Sequence, residues 1–247
     1  MNRTNILFLF LVASALFLSC GGNTASPLQG EGDTIPMRYA KNITMVRYGD
    51  NVVEVKLKNP WGEGLLGSYV LMEGPNSQLS TLNSQFSDGN SQPIHVPLKN
   101  ALVFTAVHCG LICELGMEQS IGGVCEKEYI HGLTKEVVDC GNGMSPNQER
   151  IIQLHPDAML VSPFESNTGH DKLGQLGIPI VECAEYMEPT ALGRAEWMKF
   201  YGLLLGKEKE ANAMFDALVA RYDSLSALVK NAATKPRILS EELYGSV

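Results

Sequence analysis

The pattern of apolar and polar positions predicts a strand-rich region in the first part of the chain. Residues 43–48 and 52–57 alternate apolar with polar side chains and are rich in β-branched residues. The Gly49-Asp50-Asn51 segment between them has the composition of a turn. Residues 68–72 predict a third strand, and the Gly-, Pro- and Asn-containing residues 74–93 predict a loop. We therefore expect a small β-rich N-terminal extension over residues 38–94.

Beyond residue 95, short apolar strands alternate with helical patterns. The predicted strands cover residues 101–107, 121–125, 137–139, 158–162 and 178–182. The predicted helices cover residues 109–117, 145–154 and 171–176, the second of them with Ser145 as N-cap and Pro146 at the first helical position. This alternation indicates βαβ units on a parallel sheet. The fold class is therefore α/β, with a Rossmann-like N-terminal lobe over residues 95–191.

Apolar residues then recur at helical spacing from Trp197 to Val229 and predict one long backbone helix over residues 192–231. Pro236 ends this pattern, and residues 237–240 predict another strand. We expect residues 232–247 to begin a second α/β lobe that is mostly missing from the chain. Without that lobe, the last turns of the helix should expose the apolar side chains of Tyr222, Leu225 and Val229.

The N-terminus has the pattern of an export signal. Arg3 precedes an apolar run over residues 6–18, which is shorter than the ~20 residues that span a bilayer. A charged start, a short apolar run and small residues before the cleavage point are typical of a signal peptide, here residues 1–19.

The end of this segment, Leu16-Phe17-Leu18-Ser19-Cys20-Gly21, resembles the lipobox of bacterial lipoproteins, although Phe17 replaces the usual leucine. The resemblance implies that Cys20 is lipidated and that the protein is anchored in the cell envelope on the periplasmic side. The polar, Gly-rich residues 20–37 are then expected to form a flexible tether.

Composition narrows the choice of partners. The formal net charge is −8, and the basic residues are scattered, so that no Lys/Arg stripe is available to bind nucleic acid. Five cysteines follow Cys20, and their odd number leaves at least one without a partner in the chain. We interpret most of them as small buried apolar residues, and their pairing stays open. These five are Cys109, Cys113, Cys125, Cys140 and Cys183.

Three segments resemble one family of transport proteins. Residues 143–162 (GMSPNQERIIQLHPDAMLVS) are similar to its n-x-E-x-I-x-x-L-x-P-D-x-v segment, and residues 173–181 (LGQLGIPIV) to its L-x-x-L-G-I-P-V segment. Residues 204–211 (LLGKEKEA) are similar to the start of its backbone helix. In this order they resemble the helical-backbone class of ABC-transporter solute-binding proteins, and the resemblance covers about residues 95–240.

The resemblance implies binding without catalysis and without a resident cofactor. Members of the family capture an iron–siderophore, haem or cobalamin between two lobes and deliver it to an ABC permease. The ligand contacts of this lobe should lie where its strands end. Phenol and imidazole groups can ligate haem iron, and aromatic faces can pack on a corrin. The candidate residues are Tyr129, His131, Met144, Phe164, Glu165 and His108.

Other functions remain open at this point. A direct transition-metal receptor would need several converging His and carboxylate side chains, and these are scattered along the sequence. A cluster-binding enzyme subunit of nitrogenase-like fold does not agree with an export signal, and a surface scaffold would bind no small ligand. Cys109 and Cys113 share a helical face but lack a second ligand pair. His108 and Cys109 lack an orienting third group, so we do not predict an enzyme.

Overall fold

The computed structural model describes residues 32–74, 91–163 and 177–234 and the single positions 174 and 236. Outside the described residues lie the predicted signal peptide, Cys20, Phe164, Glu165, the strand over residues 237–240 and, except for position 174, the helix over residues 171–176. Within the described part of the chain, none of the helices has the length and apolar character needed to cross a membrane.

The N-terminal region forms a five-stranded sheet in the order β1-β2-β3-β4-β5. Neighbouring strands are antiparallel except β4 and β5, which are parallel. The three predicted strands are confirmed as β2, β3 and β4. Two edge strands were missed, because β1 was expected in the tether and most of β5 in a loop or in the next lobe. The strands are β1 (Asp33–Ile35), β2 (Ile43–Tyr48), β3 (Val52–Lys58), β4 (Leu65–Glu73) and β5 (Gln92–Val96).

The second sheet is parallel throughout, as the alternating pattern predicted. Its strand order is β12-β11-β6-β7-β8. Two further short strands, β9 and β10, form an antiparallel pair directly after β8. The strands are β6 (Ala101–Val103), β7 (Ile121–Val124), β8 (Val138–Asp139), β9 (Gly141–Asn142), β10 (Ser145–Pro146), β11 (Ala158–Val161) and β12 (Ile180–Glu182).

The described helices are α1 (Ala106–Glu114), α2 (Gln148–Leu154), α3 (Ala191–Glu196), α4 (Met198–Leu205) and α5 (Glu208–Lys230). The predicted helical region over residues 192–231 is divided into α3, α4 and α5, of which α5, with 23 residues, is the long helix. The interruptions lie at Trp197 and at Gly206, which adopts a left-handed φ of 66°. The prediction that α5 exposes Tyr222, Leu225 and Val229 is confirmed, because these side chains are 47%, 63% and 62% exposed.

The start of α2 also differs from the prediction. Its N-cap is Asn147, whose side chain accepts a hydrogen bond from the backbone N–H of Arg150 at 3.1 Å. Ser145 and Pro146 belong instead to β10, where they pair with β9. Asn and Ser are about equally good N-caps, so the sequence alone does not choose between these two starts.

One apolar core joins the two sheets. The buried side chains of the N-terminal sheet pack together with α1, α4 and one face of the parallel sheet, and Trp197 and Phe200 are fully buried there. The opposite face of the parallel sheet is covered by α2 through Ile151. The N-terminal sheet therefore shares its core with the α/β lobe.

The N-terminal sheet also covers an edge of the parallel sheet. The backbone N–H of Glu182 in β12 donates to the Tyr69 hydroxyl at 2.9 Å. The N–H of Ile180 donates to the Gln92 side-chain oxygen at 3.2 Å. An edge strand with open N–H groups invites pairing with other chains, and these two side chains occupy those groups on β12.

Candidate functional site

The carboxyl ends of the parallel strands meet at one edge of the sheet, which we call the rim. Ligands of open α/β sheets bind at such an edge. Four large apolar side chains in the segments that follow β6, β7, β8 and β12 are exposed to solvent. These residues, which we call the rim cluster, are Val107 (62% exposed), Tyr129 (65%), Met144 (71%) and Tyr186 (37%). The segments that carry them follow four of the five strands of the parallel sheet.

Tyr129 follows β7 and ends a short 3₁₀ helix, Lys127–Tyr129. The preceding Glu126 has a left-handed φ of 53°, which is uncommon for a residue with a side chain. Its side-chain Oε1 accepts a hydrogen bond from the N–H of Gly143 at 2.8 Å. Its own N–H donates to the Gly141 carbonyl at 2.8 Å. Glu126 therefore ties the segment that carries Tyr129 to the turn that carries Met144.

Met144 lies at the tip of the turn between β9 and β10. The side-chain oxygen of Asn142 accepts a hydrogen bond from the Met144 N–H at 2.9 Å. This local bond closes the turn and keeps the Met144 side chain outside the core. A thioether on a flexible side chain can adapt to ligands of irregular shape.

His131 is exposed but lies farther along the same segment. Ile130 is buried directly after Tyr129. By Thr134 the chain has reached Glu118 at the opposite end of β7, where the Thr134 hydroxyl donates to the Glu118 carboxylate at 3.0 Å. His131 therefore lies between the rim and the opposite edge, whereas Tyr129 lies at the rim itself.

The placement of His108 corrects the prediction that it lies in a loop after a strand. The strand ends at Val103, and the side chain of Thr105 caps α1 by accepting a hydrogen bond from the His108 N–H at 3.3 Å. His108 thus belongs to the first turn of α1 and is fully buried. Its Nε2 lies 3.1 Å from Oε1 of Glu185. His108 therefore contacts the 3₁₀ helix Glu185–Met187, which carries Tyr186.

Tyr186 and Val107 were missed as individual candidates. Tyr186 lies in the 3₁₀ helix Glu185–Met187, and its hydroxyl donates to the Pro163 carbonyl. Burial raises the pKa of this hydroxyl, and the charges of Glu185 and Glu182 raise it further, so the group stays protonated as a donor. Val107 was expected inside a strand, and only the early start of α1 brings it to the surface.

No metal centre is found among the residues that the structure describes, where no three His, Cys, Asp or Glu side chains converge as ligands. The five described cysteines carry free thiols. Burial raises the pKa of the Cys109 thiol to about 12, and the nearby Cys113 contributes to this increase. Cys109 is therefore a protonated core residue at neutral pH.

Comparison with known proteins identifies the family. Residues 108–247 match the model of the periplasmic binding protein family. The chain belongs to this family. The match confirms the resemblance that the three sequence segments indicated. It covers most of α1, the strands β7 to β12 and the helices α2 to α5, whereas β6 lies before it.

The relatives differ from this chain in length. An uncharacterized lipoprotein of Methanocaldococcus jannaschii is 25% identical over 90% of this chain and 58% of its own length. A possible iron-binding periplasmic solute-binding protein of Staphylococcus epidermidis is 19% identical, with a TM-score of 0.48 over 57% of this chain and 55% of that chain. A siderophore-binding protein bound to acinetobactin and ferric iron is 22% identical, with a TM-score of 0.48 over 57% and 51%. This periplasmic binding protein chain therefore spans little more than half of each.

Proposed function

We propose that this chain is the N-terminal part of a substrate-binding lipoprotein of an ABC importer. The protein captures an iron chelate, such as a siderophore or haem, or cobalamin, and delivers it to the permease. The observation that carries the proposal is the rim cluster at the carboxyl ends of the parallel strands. Membership of the periplasmic binding protein family supports a role in solute capture rather than in catalysis.

The rim cluster suits a large ligand with apolar surface. Ligand sites are lined mainly by apolar and aromatic side chains, and a few polar groups fix the orientation of the ligand. Tyr129 and Tyr186 combine an aromatic face with a hydroxyl group. Phe164 and Glu165, which follow β11 in the sequence, are proposed to add an apolar wall and a polar group.

The alternative of a direct transition-metal receptor has less support. Such a site needs several nitrogen or oxygen ligands around one ion. Of the described histidines, His108 is buried against Glu185, whereas His131 is exposed. Within the described ranges the rim thus offers apolar contact area and no ligand cage.

The proposed location is the cell envelope, with lipid on Cys20 as the membrane anchor. The lipobox-like segment at Cys20 supports this location, and the Methanocaldococcus jannaschii relative is named a lipoprotein. Two or more acyl chains on one residue give stable attachment to a membrane.

The decisive experiment is a fluorescence titration of the two-lobed protein. Ferric siderophores, haem, cobalamin and the free Fe³⁺, Zn²⁺ and Mn²⁺ ions are added separately, and the quenching of tryptophan fluorescence is followed. We expect saturable binding of one chelate class and no saturable binding of the free ions. Binding of a free ion alone would support the metal receptor, and no binding of any compound would contradict the proposal.

A further inference from the structure

Two cysteines directly follow neighbouring strands of the parallel sheet. In the pairing of β7 with β8, Val124 lies opposite Asp139. The first residue after each of these strands is a cysteine. The N–H of Cys140 donates to the Val124 carbonyl at 2.8 Å, so the ladder continues by one bond. Cys125 and Cys140 therefore occupy the next facing position in the register.

The two side chains also point to the same face of the sheet. Both are fully buried, and both pack with Leu102, Phe104 and Ile151 beneath α2. Neighbouring strands lie about 4.8 Å apart, and the Cα atoms of a disulfide are usually about 4.4–6.8 Å apart. Register and face thus agree with a disulfide. On strands about 4.8 Å apart, the two Cβ atoms must still move slightly closer to reach the about 3.5–4.5 Å that a disulfide needs.

The local structure leaves room for the final approach of the two sulfur atoms. The regular ladder ends directly after the pair, because the N–H of Glu126 donates to the Gly141 carbonyl at 2.8 Å instead of to Cys140. β8 is an edge strand of only Val138–Asp139. A short edge strand can shift by a fraction of an ångström without disturbing the rest of the sheet.

The other described thiols lack this arrangement. Cys109 and Cys113 lie four residues apart on α1, where Cβ atoms are about 5–6 Å apart, whereas a disulfide needs about 3.5–4.5 Å. Cys183 packs in the core on the opposite face of the parallel sheet, together with Cys109. Cys125 and Cys140 are thus the pair that the sheet itself brings together.

We propose that Cys125 and Cys140 form a disulfide by exchange with a small-molecule disulfide such as oxidised glutathione. The Cys140 thiolate attacks one sulfur of the oxidant, which releases the first glutathione thiolate and leaves a mixed disulfide. The Cys125 thiolate then attacks the Cys140 sulfur and releases the second. The protein loses two protons and two electrons, and the oxidant is reduced to two thiols. Periplasm-like compartments keep such bonds oxidised.

Burial controls the rate of this reaction. It raises the pKa of the Cys125 thiol to about 12, and the neighbouring Cys140 thiol contributes to this increase. Burial raises the pKa of Cys140 as well. The thiolate is the reactive form, so exchange requires folding or a local opening of the β8 edge. Once formed, the bond closes the segment that carries Tyr129 and His131 into a loop anchored at both ends.

Peptide mapping of the full chain tests this proposal. The protein is incubated with oxidised glutathione, its remaining thiols are blocked with iodoacetamide in denaturant, and it is digested with trypsin and a glutamate-specific protease. Cleavage after Glu118, Glu126, Glu136 and Glu149 separates Cys125 from Cys109 and Cys113. We expect a linked product of residues 119–126 and 137–149, about two hydrogen masses lighter than the two thiol peptides together.

Two variants complete the test. Cys113→Ala should retain the linked product, because Cys113 lies on α1 outside the pair, and Cys140→Ser should lose it. Dithiothreitol should release the two peptides and lower the unfolding temperature of the wild type relative to its oxidised form. Alkylation of both cysteines after oxidation, or a link to another cysteine, would overturn the proposal. If Cys140→Ser does not fold, the presence or absence of the linked product in the peptide map of the oxidised wild type still tests the proposal.

Discussion

The indole Nε1 of Trp197 donates a hydrogen bond to Oε1 of Glu188 over 3.0 Å, and both groups are buried. The same carboxylate accepts bonds from two backbone N–H groups just before β2, at Lys41 (2.8 Å) and Asn42 (2.9 Å). Glu188 therefore joins the junction of α3 and α4 to the segment between β1 and β2.

A second buried carboxylate holds the residues immediately before these. Glu196 accepts bonds from the N–H groups of Arg38 at 2.9 Å, Tyr39 at 2.7 Å and Ala40 at 2.9 Å. Lys199 donates to the same carboxylate at 2.9 Å. Residues 38–42 thus have their consecutive backbone donors bound by two carboxylates from the far side of the sequence. Buried charges are tolerated when they are paired and hydrogen-bonded in this way.

Glu188→Ala should loosen only part of this segment. The N–H groups of Lys41 and Asn42 lose their acceptor, whereas residues 38–40 keep Glu196. We expect faster hydrogen exchange at the amides of Lys41 and Asn42 and smaller changes at residues 38–40, because local opening governs exchange at each site. Equal acceleration over all five amides would contradict two separate attachments.

Glu196→Gln should destabilise the whole domain. The NH₂ group of the Gln side chain would face either the Arg38 N–H and the Lys199 ammonium or the N–H groups of Tyr39 and Ala40. Lys199 would also lose its buried counter-charge. Breaking a buried ion pair costs about 3–5 kcal/mol. We expect the free energy of unfolding, measured in urea, to fall by an amount near the lower limit of this range. Glu210→Gln, in the exposed pair with Lys207, is the control and should change the midpoint very little. Equal effects of the two variants would be inconsistent with this account.

The effect of Glu196 should depend on pH. Burial acts to raise the pKa of Glu196, but hydrogen bonds from the backbone at residues 38–40 and from Lys199 hold it below its ordinary value of 4.5. A carboxylate whose pKa is lower in the folded than in the unfolded state stabilises the folded state at pH values above its unfolded-state pKa. This stabilisation is lost as the pH falls through the folded-state pKa. The stability difference between wild type and Glu196→Gln should therefore be full at neutral pH and shrink below pH 4.5.

These attachments show what local sequence patterns can and cannot predict. β2 and β3 alternate apolar and polar residues, and the prediction found both within one residue. β1 is only three residues long, too short for an alternating pattern, and it is defined by its pairing with residues 45–47 of β2. The segment between β1 and β2 is held by Glu188 and Glu196, about 150 residues away. No window of neighbouring residues contains this information.

Gly206→Ala should destabilise the junction of α4 and α5. Gly206 has a φ of 66°, and an added Cβ would lie 3.2 Å from the Cβ of Pro97. The left-handed conformation costs residues with a side chain about 1–2 kcal/mol, and this contact adds to the cost. Gly110→Ala is the matched control, because Gly110 lies in α1 with open space around its Cβ position. It should stabilise by about 0.5–1 kcal/mol in the same thermal unfolding measurement.

The candidate site was predicted only where it depends on strand order. Parallel strands fix the rim, and Tyr129 follows β7 there as expected. The prediction that His108 lies at a strand end is wrong, because Thr105 caps α1 and the helix begins three residues earlier than the apolar pattern indicated. Val107 became exposed for the same reason. A shift of a few residues at the boundary of an element exchanges buried and exposed positions, and such boundaries are the least certain part of sequence interpretation.

Cys20→Ala should release the protein from membranes. The lipobox-like segment ends at Cys20, and the acyl chains expected there provide the proposed anchor. Labelled palmitate should be incorporated into the wild type and not into the variant, and the variant should move to the soluble fraction. A variant that stays membrane-bound, together with an unlabelled wild type, would contradict the lipid anchor.

Tyr129→Ala in the two-lobed protein should weaken chelate binding without changing the fold. Tyr129 is 65% exposed and lies outside the apolar core, so the loss of its ring should leave the unfolding midpoint close to that of the wild type. One good contact contributes about 1.4 kcal/mol, or ~10-fold in Kd. We therefore expect the Kd for the bound chelate to rise by ~10-fold or more in fluorescence titration.

The matched control for Tyr129 is Ile152→Ala. Ile152 is 49% exposed and lies in the last turn of α2, near Leu154, whose carbonyl accepts a bond from the Asn100 side chain before β6, at the edge opposite the rim. Its removal deletes similar exposed apolar area but no proposed ligand contact, so the Kd should stay that of the wild type. Tyr129→Phe separates the two roles of the side chain, because it keeps the ring and removes the hydroxyl group. Near wild-type affinity of Tyr129→Phe would indicate that the aromatic face binds the ligand, and affinity as low as that of Tyr129→Ala would indicate the hydroxyl. Wild-type affinity of Tyr129→Ala for every chelate would remove Tyr129 from the site.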